Sequence, residues 1–268
     1  MKRVVLASIT SAAIGAAALG AGYYAGTMQQ PAASAQMAAS APTASMPRQD
    51  VEAVVRNYLL ENPELILEVQ NSLEKKQAEA ARQHVKDIIA SNKADIYNSS
   101  HDAVFGNPDG DVTIVEFFDY NCGYCKRALP DMQAILRNDP NVRFVMKEFP
   151  ILGPDSMRAH IVAQAFKALM PEKYPQYHEL LMSAPDRATE ESAIADAVRL
   201  GADETQLREK MQRAEVRGAF QDTYQLASEL NITGTPSYIV GDELVPGAIG
   251  AEGLIERIAA ARAAAKTN

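Results

Sequence analysis

The chain of 268 residues has almost no cysteine. Its two thiols, Cys122 and Cys125, sit in the stretch FFDYNCGYCKRALP. Such scarcity excludes a disulfide-built scaffold, and a bridge closing so small a loop would constrain the unfolded chain very little. Histidine is also sparse: His84, His101, His160 and His178 stand alone, without paired spacing, and read as surface or capping residues. A closed zinc site takes about four ligands, so no metal site is expected. No Lys/Arg-rich block interrupts a chain of net charge −8, so nucleic acid is not an expected partner. Tryptophan is absent, which carries no functional weight, and there is no internal repeat.

What is present suits a folded, exported protein. Apolar residues are 47% of the chain and charged residues 22%, enough for a sizeable core. A basic start, MKR, precedes an uncharged run of apolar and small residues over 4–26, and ASA at 33–35 offers the small side chains a signal peptidase reads. Residues 1–35 therefore read as a signal peptide. The alternative is an uncleaved membrane anchor over 4–26, since that run is long enough to span a bilayer. Either way the remainder faces an oxidising compartment, where two cysteines at CxxC spacing favour a working redox pair over a structural bridge.

Residues 36–49, rich in Ala, Ser, Pro and Met, read as a flexible linker. Residues 50–100 are helical in composition and broken once at ENPEL, with Asp50 placed to cap the first helix, Asn62 to cap the second and Pro63 at its first position. Val51, Val55, Tyr58, Leu65 and Val69 fall near three-four spacing, and Leu59, Leu60, Ile66 and Leu67 add apolar surface on other faces. This surface packs either on its own domain or on copies of itself. From Lys75 to Asn98 the segment turns polar, as a connecting helix would. Beyond it, VTIVEFFDY, CKRALPDMQAILRN and VRFVMKEFPI read as strand, helix and strand, a parallel pair with a crossover helix, with Pro130 a candidate kink. A helical block follows over about 155–230, with Gly201 placed to end one of its helices. Then comes a hairpin around Gly241-Asp242 and a last helix.

A CxxC directly after a buried strand, at the first turn of a helix, has a physical purpose. Free N–H groups and positive potential at the helix start stabilise a thiolate on Cys122 and lower its pKa. Cys122 is then nucleophile and leaving group, while Cys125, one turn further in, resolves the mixed disulfide. The other signal is TGTPSY, where a cis Pro236 would leave the Thr235 backbone facing the sulfurs, ready to hold an extended substrate strand.

Taken together, FFDYNCGYCK, KEFPILG, GTPSYIVGD and VPGAIG resemble the ScsC-like or Com1-like branch of the DsbA family over about residues 50–262. The resemblance implies an α/β thioredoxin fold with a helical insertion, preceded by an N-terminal helical segment. It implies a domain over 101–264 and a helical segment over 50–100 that assembles the chain, as a trimer in relatives. It carries over Glu116 as a buried acid moving protons to or from Cys125, paired with Lys147 on the neighbouring strand, and Gly123, Tyr124, Thr235 and Pro236 as substrate-binding positions. CGYC is similar to the active-site motif of disulfide isomerases, and the expected function is an exported, periplasmic disulfide isomerase without a cofactor. Its partners would be cysteine-bearing exported clients and a membrane protein that recharges the pair. The alternatives are a dithiol oxidase and a copper-handling protein using the two thiolates, which are soft ligands suited to Cu(I).

Overall fold

The computed structural model describes residues 46–266. The signal peptide or anchor and most of the linker read from the sequence lie outside the described residues. No helix among those described is long and apolar enough to cross a membrane.

The chain divides after Leu60 into two units. The first ends in helix α1 (Arg48–Glu61), none of whose residues is buried. It starts two residues before the expected cap, so Asp50 sits in its first turn, where a carboxylate suits the helix dipole. The second unit opens with α2 (Glu64–Ser91), with Pro63 rather than Asn62 in the N-cap place. It goes on through α3 (Lys93–Tyr97) to the sheet, so it takes in residues 61–100, which the sequence assigns to the helical segment.

The sheet has five strands: β1 (Ala103–Gly106), β2 (Val112–Phe118), β3 (Val142–Glu148), β4 (Ser237–Val240) and β5 (Glu243–Pro246), in the spatial order β1-β3-β2-β4-β5. As expected, β2 and β3 are parallel, joined by the crossover helix α4 (Gly123–Asn138), which runs unbroken through Pro130. The other pairings are antiparallel. Strand β1 extends one edge and was not expected, because four residues give too short a pattern to recognise. At the other edge Gly241 and Asp242 form the hairpin loop; Gly241 has φ +62°, a conformation a Cβ would disfavour.

Between β3 and β4 lie α5 (Pro154–Leu169), a 3₁₀ turn at Pro171–Lys173, α6 (Tyr174–Ser183), α7 (Glu190–Arg199), α8 (Glu204–Met211) and α9 (Ala214–Glu229). This is the helical insertion read from the sequence, and Gly201 lies just past the end of α7. Helix α10 (Gly250–Ala265) closes the chain.

Side chains alternate across the sheet. On one face Ile114, Phe118, Phe144, Met146 and Tyr238 pack with Leu129 and Met132 of α4, Val162 and Phe166 of α5, and Leu254 of α10. On the other, Val115, Phe117, Val145 and Ile239 pack with Ile89, Ile96 and Leu226. The stretch that reads as a polar connector thus ends in a docked turn. Ile89 and Ile96 are almost fully buried, each burial being worth about 1.5–3 kcal/mol, and Val85, Ile88 and Tyr97 pack beside them. Tyr97 also donates to the Gly241 carbonyl at 2.7 Å.

Candidate active site

Strand β2 delivers the chain to a tight loop at residues 119–121, and α4 begins directly after it. Asp119 shapes that loop. Its buried carboxylate accepts the N–H groups of Asn121, Ile151 and Leu152 at 2.8–2.9 Å, while its carbonyl accepts the Cys122 N–H at 2.9 Å. Asn121 bonds Ser156 and both the N–H and the carbonyl of Ala188, tying the insertion to the same loop. Lys126 adds two bonds to the carbonyls of Ala184 and Asp186.

Cys122 is the N-cap of α4, and its sulfur accepts the Cys125 N–H at 3.4 Å. Both cysteines are free thiols. The Cys122 thiol is brought down from its ordinary 9 to about 5, mainly by hydrogen bonding with the Cys125 side chain, aided by Thr235 and the Cys125 and Tyr124 backbone and opposed by burial. Cys125 is fully buried and moves the opposite way, raised first by burial, then by its bond to Cys122 and by the charge of Glu116. At neutral pH the pair therefore holds one thiolate at the mouth and one protonated thiol behind it.

Thr235-Pro236 is a cis peptide bond, and the Thr235 carbonyl lies 3.1 Å from the Cys122 sulfur. The loop before β4 and the start of α4 thus meet across the thiol, as the TGTPSY motif suggested. Pro236 is buried, and its carbonyl is taken by the Gly247 N–H at 2.8 Å. Gly123 and Tyr124 are both exposed. The Tyr124 ring, 61% exposed, is covered by the Arg127 guanidinium at 4.4 Å, an arrangement that favours a cation over the ring face.

Glu116 and Lys147 part company. Glu116 points to the α4 face of the sheet, opposite Tyr238 on β4, and is buried. Burial first, and the negative charge of Cys122 second, push its carboxyl up from 4.5 to about 8, within range of proton exchange near neutrality. Lys147 is level with Phe117, one residue further along, and so points to the opposite face. There its ammonium donates to Asp102 at 2.5 Å and to the Asp95 carbonyl at 2.6 Å. The expected Glu116–Lys147 pair is not formed: with a two-residue side-chain period, one position in register decides the face.

Two of the four histidines also depart from expectation. His160 and His178 are buried, not surface or capping residues. His160 bonds the Tyr120 N–H and Glu148. His178 lies among Phe105, Phe118 and Tyr120 with neither ring nitrogen hydrogen-bonded, and burial lowers its pKa to about 3. Among the described residues no group of three or more His, Cys, Asp or Glu side chains converges as metal ligands would.

A thiolate that attacks and a protonated partner that resolves perform the chemistry of a thiol-disulfide oxidoreductase, and the sheet carrying them is a thioredoxin fold. The chain belongs to the family described as DSBA-like thioredoxin domain, whose pattern matches residues 113–259. Residues 48–80 match the Copper resistance protein ScsC N-terminal domain, which places the chain in the ScsC-like branch. That stretch contains no Cys, His or Met. A thioredoxin-like oxidoreductase from Silicibacter pomeroyi is similar at 41% identity, over 64% of this chain and 98% of that one, with TM-score 0.61. A linker-deletion mutant of Proteus mirabilis ScsC matches at 26% identity over 84% and 99% of the two chains, TM-score 0.63. The thiol-disulfide exchange protein alpha-DsbA2 of Wolbachia pipientis matches at 26% over 67% and 96%, TM-score 0.62. The curated relatives it matches, Na(+)/H(+) antiporters NhaA 3 of Salinispora tropica and NhaA 1 of Salinispora arenicola, are 26–27% identical. The chain spans about a quarter of their length.

Proposed function

We propose that the protein is an exported, periplasmic disulfide isomerase whose copies assemble through the N-terminal helices. One observation carries the reading. Helix α1 exposes Val51, Val54, Val55 and Leu60, and the start of α2 exposes Ile66, Leu67, Val69 and Leu73, with Leu60 68% exposed. Apolar surface of this density on a water-soluble chain marks an interface, and the resemblance to ScsC-like proteins gives a trimer as its form. Isomerisation uses such an assembly. Several reduced Cys122 thiolates surround one client, attack a wrong bridge, form a mixed disulfide and leave when the right bridge closes. Gly123, Tyr124, Thr235 and Pro236 border Cys122 and would hold the client strand. Glu116 would take the proton that Cys125 gives up when it resolves a stalled adduct.

The test uses the chain beginning at the linker and the same chain with Leu60→Lys and Leu67→Lys. Both positions are exposed, so the substitutions spare the monomer's core. Light scattering should give an oligomer for the first and a monomer for the second. Only the first should reactivate a scrambled multi-disulfide protein. A monomeric parent chain, or equal repair by both forms, would end the assembly argument, and repair by neither would end the isomerase reading.

One observation favours a second reading, that of a dithiol oxidase. A thiolate with its pKa at about 5 stabilises the reduced form, and thiols of that kind oxidise their clients strongly. Rapid insertion of bridges into a reduced client by the disulfide form, without repair of a scrambled one, would select it. Either activity needs a membrane partner to reset the cysteine pair.

A further inference from the structure

Behind the thiol loop lies a closed hydrogen-bond circuit that the exchange chemistry does not itself use. Tyr120, two residues before Cys122, is held at both ends. Its N–H donates to His160 Nε2 at 3.1 Å, and its phenol meets the Tyr174 hydroxyl at 3.1 Å. Both paths end on one carboxylate: His160 Nδ1 lies 2.7 Å from Glu148 Oε2, and the Tyr174 hydroxyl donates to Glu148 Oε1 at 2.6 Å. Glu148, His160, Tyr120 and Tyr174 are all almost fully buried.

The backbone bond fixes the protons. Because His160 Nε2 accepts from Tyr120, a neutral His160 carries its hydrogen on Nδ1 and gives it to Glu148. Because Tyr174 gives its hydrogen to Glu148, the Tyr120 phenol must donate to Tyr174. Every donor is used once, and every path ends at Glu148. Each residue comes from a different element: Tyr120 from the loop after β2, Glu148 from the end of β3, His160 from α5 and Tyr174 from the start of α6. The ionisable groups facing this circuit include Asp119, whose Oδ1 is 3.9 Å from His160 Nε2, the His178 ring beside Tyr120, the Tyr177 ring beside Tyr174, and Lys167, whose charge interacts with Glu148.

We propose that Glu148, His160 and Tyr174 are positioning residues for the exchange reaction, holding Tyr120 so that Cys122 stays aligned with the start of α4. The helical insertion thereby tunes the redox pair from below, as well as covering the sheet. This rests on Cys122 being the attacking thiolate, which titration of the unaltered protein checks separately through the thiolate absorbance near 240 nm.

The test compares His160→Gln, which keeps one donor and one acceptor, with His160→Leu, which keeps neither. The readouts are the Cys122 titration midpoint and the equilibrium constant with glutathione. His160→Leu should weaken thiolate stabilisation about tenfold, moving the midpoint up by about one pH unit and shifting the glutathione equilibrium in step. His160→Gln should stay within about twofold of the parent. An unchanged midpoint in His160→Leu overturns the proposal, and so do equal shifts in Leu and Gln, which would report packing alone. If His160→Leu does not fold, Tyr174→Phe, which removes one hydroxyl, carries the test. A shift of about threefold in the same direction supports the circuit, and none overturns it.

Discussion

The reduced protein should be stabilised by its own thiolate in a defined pH window. Cys122 titrates at about 5 in the folded chain against an ordinary 9. A depressed pKa contributes stability that is complete above about pH 9, shrinks as pH falls, and is gone below about pH 5. At pH 7 the folded thiol is about two units above its midpoint, an upper limit near 2.7 kcal/mol. Cys122 is 5% exposed, at the edge of the site, and screening should about halve that to 1–1.5 kcal/mol. Glu116 acts in the opposite sense. Its carboxyl is raised to about 8, so its effect on stability is present below about pH 4.5 and lost as pH rises through 8. The part of that effect due to burial exists in both redox forms, whereas the part due to the Cys122 charge, like the thiolate itself, exists only in the reduced one. The assay is therefore denaturant unfolding of reduced and oxidised protein at half-unit steps from pH 4 to 8. The gap between the two forms should move in favour of the reduced protein by about 1–1.5 kcal/mol between pH 4.5 and 7. A gap that does not move with pH, or a thiol absorbance midpoint near 8.5, would refute the assignment of Cys122 as a stabilised thiolate.

Three further outcomes are expected. Glu116→Gln should slow resolution of mixed disulfides by about a hundredfold and remove the inflection near pH 8 from the rate profile; stopped-flow kinetics would show it. Cys125→Ala should retain attack and accumulate mixed disulfides with clients, seen as reducible high-mass bands on a gel. Lys147→Met should leave Asp102 buried without its cation, at a cost of about 3–5 kcal/mol by chemical denaturation. The same variant should leave the Cys122 titration where it was, because Lys147 lies on the other face of the sheet.

The parts of the site that lie close together in sequence were legible there. Cys122, Cys125 and the start of α4 share one stretch, and the Thr235-Pro236 loop announces itself by its neighbours. So do the β2–α4–β3 crossover and the Gly241-Asp242 hairpin. The misreadings have a common cause. The resemblance pairs Glu116 with Lys147 on the neighbouring strand, but sequence does not give the register, and one residue of register reverses a face. Glu148, His160 and Tyr174 each look ordinary, since only the packing of α5 and α6 against β3 gathers them. The docked turn of α2 and α3 did leave a trace: Val85, Ile88, Ile89 and Ile96 fall at helical spacing. Surrounding Lys, Asp and Asn residues made that stretch read as a connector.

The docking of α2 has a mechanical consequence. Its far end is fixed to the sheet from Val85 onward, so from Glu64 to that point it is a rod of about 30 Å, at 1.5 Å per residue. Helices of that length curve gently and do not fold on themselves, so bending strain passes along the rod to the interruption at Asn62-Pro63, where Pro63 lacks the backbone hydrogen that would carry the helix across. The rod therefore acts on the sheet as a lever about 30 Å long, and the docked turn at Val85, Ile88, Ile89 and Ile96 is where that load enters the thioredoxin domain.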